Sequence, residues 1–175
     1  MGDINDFEVY NFGHLFTAAC LHKRLTGKDS FLKIAVKTAD YLEGMYADAL
    51  EKGEVQTAVC PSHYMGLVEM YRTTGEKRYL KLAEQAIALR DSVKEGMDDN
   101  QDRIPLREHE KIIGHAVRAN YLYAGVADLC LEEDDEELKD VLHKVWRSLV
   151  DKKLYLTGGC GALYNGTSPY GNFFV

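Results

Sequence analysis

The sequence predicts an all-α fold assembled from αα-hairpin repeats, and three observations lead there. Apolar residues recur with helical spacing over most of the chain. Two segments repeat one another at a period of about 50 residues, the sign of stacked supersecondary units. Only 3 prolines occur in 175 residues, which suits a mostly helical chain because proline interrupts a helix interior.

The repeat is clearest in the first two copies. Each opens on a histidine (His14, His63), runs for about three turns of helix, and reaches Thr26-Gly27 or Thr74-Gly75. A glycine there can take the left-handed conformation that ends a helix. Each copy then restarts with an aromatic-Leu-Lys-aliphatic-Ala run, Phe31 to Ala35 and Tyr79 to Ala83. The segment from His115 is a third, looser copy with an acidic turn from Glu132 to Glu137. Its first helix is apolar on nearly every face (Ile112, Ile113, Ala116, Val117, Ala119, Leu122, Tyr123, Val126, Leu129), the pattern of a helix enclosed on most sides. Its second places Leu138, Val141, Leu142, Val145, Trp146 and Leu149 on one buried stripe. An inner helix followed by an outer one is therefore the unit.

In chain order, the inner helices are expected at Gly13 to Leu25, Ser62 to Thr73 and Ile112 to Leu131. The outer ones are expected at Ser30 to Ala49, Lys77 to Lys94 and Asp135 to Val150. Glu95 to Glu110, with Pro105, reads as a polar, solvated connector. Its Asp98-Asp99-Asn100-Gln101-Asp102 lacks the glycine and distal glutamate of a calcium loop. After Val150 the chain turns glycine-rich, as a flexible loop over the rim of the stack, with Tyr164, Tyr170 and Phe173 available to stack on a ring. Gly158-Gly159-x-Gly161 has no Lys-Ser/Thr after it and is not a phosphate loop.

Composition excludes several classes. A net charge of −7 leaves no basic footprint for nucleic acid. No apolar run reaches the roughly 18 residues of a membrane span, and the N-terminus does not read as a signal peptide, so a cytoplasmic location is expected. Cys20, Cys60, Cys130 and Cys160 are widely spaced with no C-x-x-C, so reduced thiols are expected.

The three histidines carry the functional signal. Each follows a small residue (Gly13, Ser62, Gly114) and stands at the start of an inner helix. Parallel inner helices would bring His14, His63 and His115 to one rim. Helix N-termini disfavour imidazolium, so neutral rings would offer one donor and one acceptor each, suited to sugar hydroxyls. No i, i+4 histidine pair exists for zinc, so no metal is expected at these three. His22, His109 and His143 sit among charged residues and read as solvent-facing.

Four motifs occur in one order: Gly13-His14-Leu15; Cys60-Pro61-Ser62-His63; Gly114-His115-Ala116-Val117-Arg118 followed by Tyr123, Gly125 and Asp128; and Leu154-Tyr155-Leu156-Thr157-Gly158-Gly159 followed by Gly161. Over nearly its whole length the chain resembles the β-L-arabinofuranosidase family, glycoside hydrolase family 127 and its relatives. The resemblance implies an (α/α)6 barrel with a carbohydrate in its mouth. Residues 1–175 would supply one partial catalytic domain, three hairpins or about half of the toroid, with the Gly-rich loop at 154–175. It makes His14, His63 and His115 substrate-binding candidates. The family's retaining mechanism uses a Glu acid/base, a Cys nucleophile and a zinc held by Cys and Glu. In such proteins these lie beyond the Thr-Gly-Gly loop, so the catalytic residues are implied past Val175, and neither Asn172 nor Cys160 takes such a role. The zinc then belongs to the whole enzyme and not to this stretch, which would be an inactive fragment on its own. Apolar inner-helix flanks imply a homo-oligomer, or pairing with the rest of the barrel. Two other readings of the residues stay open: a sugar epimerase using paired histidines as acid and base, and a non-catalytic helical-repeat scaffold.

Overall fold

The computed structural model describes residues 7–53 and 57–160. Within them the hydrophobic periodicity is realised as six α-helices: α1 (Phe7–Thr26), α2 (Ser30–Lys52), α3 (His63–Thr74), α4 (Lys77–Ala88), α5 (Ala116–Glu132) and α6 (Glu136–Lys152). They pair as consecutive hairpins. The first helices of the pairs, α1, α3 and α5, pack side by side, while α2, α4 and α6 lie outside them. The fold is all-α, a row of αα-hairpins of the kind that builds a helical toroid. No described helix is long and apolar enough to cross a membrane.

The first two hairpins close as their sequences predict. Gly27 and Gly75 take φ of 71° and 75°, and their amides donate to Lys23 O at 2.9 Å and Tyr71 O at 2.7 Å. The third hairpin has no such glycine. Instead the Asp135 carboxylate accepts from Leu138 N at 3.0 Å and caps α6.

The inner helices run parallel. Near their N-terminal ends, α1 meets α3 where Gly13 lies against Ser62 and His63. A Cβ on Gly13 would stand 2.2 Å from Ser62 Oγ and 2.4 Å from His63 N, so only glycine permits this approach. Toward the other ends Cys20 touches Met70. There a line of charge ties all three together: Arg24 pairs with Glu69 at 2.7 Å, and Arg72 bonds Glu69, Asp128 and Glu132 at 3.2, 2.9 and 2.6 Å. Between the helices Phe16, Leu42, Tyr64, Leu67, Met70, Tyr79, Leu122, Val126 and Val141 are fully or almost fully buried in one core. Cys20, Cys60 and Cys130 are buried free thiols, and Cys160 is half-buried and free.

Several boundaries differ from the periodicity, each for a local reason. α1 begins at Phe7 rather than Gly13, because Val9 extends its buried stripe backward. α4 stops at Ala88 and continues only as a 3₁₀ turn, Leu89–Ser92. α5 starts at Ala116 rather than Ile112, because Gly114 at φ 80° breaks the helix. Nor is α5 enclosed all round: Val117 and Leu131 are exposed. On α6 the buried stripe is Leu138, Val141 and Val145, while Trp146 turns outward at 61% exposure.

The connector is the largest correction. Instead of a solvated loop, Leu89 to His115 folds under the inner helices through three 3₁₀ turns. Gln101, Asp102, Leu106 and His109 are buried. The Asp102 carboxylate accepts from Thr57 Oγ1 at 2.5 Å, Asn100 Nδ2 at 3.0 Å and Met97 N at 2.7 Å. The guanidinium of Arg90, itself buried, donates to Asn100 O. A polar sequence is buried here because its polar groups bond one another.

Candidate functional site

Of the three histidines that the sequence singles out, the N-terminal rim of the inner helices sets His14 in a cluster of polar aromatic groups. Tyr10 and His14 lie one turn apart on α1, a spacing that puts them on one face. Tyr121 reaches them from α5: its hydroxyl stands 3.2 Å from His14 Nε2 and 3.3 Å from Tyr10 OH. The three rings meet edge to face, with centroids 4.6, 5.5 and 5.9 Å apart. Ser62 secures the arrangement from α3 by donating to Tyr10 O at 2.6 Å. Burial, followed by the neighbouring Tyr10 hydroxyl, pushes the Tyr121 phenol up to about 12. It therefore remains a neutral donor at physiological pH.

His63 and His115 occupy different settings. His63 is the first residue of α3 but has no solvent exposure. Its Nε2 lies 2.9 Å from Tyr46 OH on α2, and its ring packs on Tyr64 with centroids 4.4 Å apart. Burial first, and then the charge of Arg90, pushes its pKa down to about 3. The neutral ring expected from the helix end is present, but desolvation is the main cause. His115 caps α5 from an extended backbone and is half-buried. Its N–H donates to Asp99 O at 3.1 Å, and the Asp99 carboxylate pairs with Arg118 at 3.0 Å. Gly114 permits this docking: a Cβ there would meet Asp98 O at 1.9 Å. From Tyr121 back to His115 is about 9 Å of helix, at about 1.5 Å per residue. His14 and His115 thus face the same end, and His63 lies behind the Gly13–Ser62 contact.

The other histidines divide. His143 is exposed, as expected, and His22 is partly buried against Phe31. His109 is not solvent-facing: it is buried, with Nδ1 3.0 Å from Tyr123 OH and Nε2 3.2 Å from Ile104 O. Its charged neighbours in sequence point outward while its ring fills the space under α5.

Sequence reasoning overlooked Tyr10, Tyr121, Arg118 and Asp99 as rim groups. Tyr10 at four residues before His14 was the available signal. Asp99 had none, because a connector carries no periodicity to read. Cys60 joins the rim with φ 51°, its thiol pushed up by burial despite the nearby Arg118. Tyr164, Tyr170 and Phe173 lie outside the described residues. Together the rim offers a neutral phenol, an imidazole and an ion-paired carboxylate, a set suited to hydrogen-bonding a polyhydroxyl ligand.

A zinc held by the described residues would need several His, Cys, Asp or Glu donors to converge. Among them no three His, Cys, Asp or Glu side chains come together as a metal site. The donors among the described residues therefore do not fit that metal.

Parallel inner helices wrapped by outer ones, with polar aromatic groups at one end, place the protein in the class of αα-hairpin toroids. The chain belongs to the β-L-arabinofuranosidase GH127 catalytic-domain family, whose model matches residues 2–174. It is 31% identical over 183 residues to a non-reducing end β-L-arabinofuranosidase of Bifidobacterium longum subsp. longum, covering 92% of this chain and 28% of that protein. A solved glycoside hydrolase superposes with a TM-score of 0.81 at 50% identity, over 90% of this chain and 26% of the other. A GH127 β-L-arabinofuranosidase from Geobacillus stearothermophilus T6 superposes with a TM-score of 0.79 at 29% identity, over 95% of this chain and 29% of the other. The chain thus spans little more than a quarter of the length of these relatives.

Proposed function

We propose that this chain forms the sugar-facing rim of a retaining glycoside hydrolase acting on β-L-arabinofuranosides or related plant-derived sugars. The observation that carries the reading is the Tyr10–His14–Tyr121 cluster, which joins α1 and α5 at the end where all three histidine-bearing segments begin. His14 and His115 bond sugar hydroxyls there. His63, the third substrate-binding candidate, is sealed in by Tyr46 and Tyr64 in this arrangement and holds α3 in place behind them. Membership of the family and the names of the relatives support the substrate class. The acid/base, the nucleophile and the zinc are assigned to none of the described residues.

The test is binding rather than turnover. L-Arabinose titrated into the isotope-labelled chain should shift the ring resonances of His14, His115 and Tyr121 saturably. His14→Ala should weaken that response about tenfold, the loss of one or two hydrogen bonds to the ligand. Unmoved rim resonances up to the solubility of the sugar would overturn the reading.

A further inference from the structure

We propose that the outward face of α6 around Trp146 is a surface site for an anionic oligosaccharide, a short chain of sugar rings bearing carboxylates. Trp146 is the only tryptophan in the chain and stands 61% exposed on an outer helix. Asp140, His143, Lys144 and Arg147 follow i, i+3, i+4, i+7, and together with Trp146 they line one open stretch of the α6 surface. An indole face is a platform for the C–H side of a sugar ring, and the flanking polar groups reach its substituents.

Charge selects the occupant. Arg24, Arg72, Arg78, Arg103, Arg107 and Arg118 are each committed to a carboxylate, and Arg90 is buried. Arg147 is the one exposed arginine with no ion pair among the described residues, and Lys144 beside it likewise has none. Two uncommitted cations and an imidazole next to an exposed indole form a local basic patch on a chain of net charge −7. A guanidinium left free in this way is matched by a carboxylate, which it binds through two parallel bonds. Asp140 at the edge repels an anion and places the carboxylate toward Arg147 and Lys144. The choice of a sugar over an acidic peptide rests on the glycan reading of the rim. The site itself is separate from the rim and is tested separately.

Trp146 is its own reporter, because no other indole contributes to fluorescence. A trimer of galacturonate titrated into the full chain should change Trp146 emission saturably. The apparent affinity should fall about tenfold between about 0.05 and 0.5 M salt, as screening shortens the reach of the charges. Lys144→Gln with Arg147→Gln keeps the fluorophore and should weaken binding at least about fivefold, while His14→Ala should leave it unchanged. Four results would overturn the site: no emission change, an equal response to a neutral galactose trimer, an equal response to triglutamate, or a ligand-free emission change that tracks dimer formation in sedimentation. Failure of L-arabinose to bind the rim would leave the Trp146 titration intact, so the two readings fail separately.

Discussion

A buried imidazole makes acid sensitivity a property of single residues. With its pKa pushed down to about 3 by burial, His63 stays neutral in the folded chain, whereas in the unfolded chain it takes a proton near its ordinary value of about 6.5. The unfolded state therefore binds more protons below that value. The contribution of His63 to stability is intact above about pH 6.5 and declines by about 1.4 kcal/mol per pH unit as pH falls toward 3. His109, also pushed down by burial, acts in the same direction. Urea unfolding at pH 7.0 and 4.5 should show a loss of about 3 kcal/mol or more, and His63→Gln should remove part of that slope while His109 keeps the rest. The Asp135 carboxyl, held near 2 by its bond to Arg107, weakens the fold only at lower pH, so it does not blur this window. Tyr46→Phe tests the same contact at neutral pH. It strands His63 Nε2 in the core and should cost about 1 to 3 kcal/mol in the same unfolding measurement. A histidine at the head of each repeat is visible in the sequence. Which way its ring turns is not, because that depends on Tyr46, 17 positions away on another helix.

At the scale of the helices, glycine has opposite meanings in α1 and α2. On an exposed helix face Gly→Ala stabilises by roughly 0.5 to 1 kcal/mol, since alanine loses less backbone freedom. Gly44 on α2 has nothing within 4 Å of a built Cβ, so Gly44→Ala should raise the unfolding midpoint. Gly13 faces the backbone of Ser62 and His63, so Gly13→Ala forces α1 away from α3 and should cost about 1 to 3 kcal/mol despite its better propensity. Thermal unfolding of the pair, followed by circular dichroism, should therefore move in opposite directions. The alternation of inner and outer helices and the Thr-Gly closures were legible because they rest on local signals, apolar period and left-handed glycine. The start of α5 was not. Ile112 and Ile113 continue its apolar pattern, yet they belong to the non-helical approach that Gly114 turns against Asp98. Trp146 misled for the related reason that periodicity identifies a face but not its edge, and the indole falls just past the buried stripe.

Across the whole molecule, the connector from Leu89 to His115 joins what the helices alone leave loosely tied. The second hairpin ends at α4 and the third begins at α5, and this segment adds its own contacts with α5 and α6 to the packing of α3 on α5. Its polar composition hid that role, because a sequence shows which groups are polar but not that they satisfy one another. The Asp102 carboxylate is the hub. It gathers Thr57 from the segment before α3, Asn100 and the Met97 amide, while Gln101 Nε2 bonds Asp99 O at 2.9 Å and Ile113 O at 3.1 Å. Asp102→Ala would leave the Thr57 hydroxyl and the Met97 N–H without their acceptor in a region closed to water, and the Asn100 amide with only Thr57 Oγ1, at 2.7 Å. The expected cost is about 2 to 4 kcal/mol, more than one neutral hydrogen bond because several donors are stranded together. The damage should also have an address. Amide exchange should accelerate first across residues 97–115, including the His115 N–H that depends on Asp99 O, while the amides of α1 and α3 keep their protection. If exchange instead rose uniformly through all six helices, the connector would be part of a single cooperative unit. The docking of His115 at the rim would then depend on global stability and not on this local network.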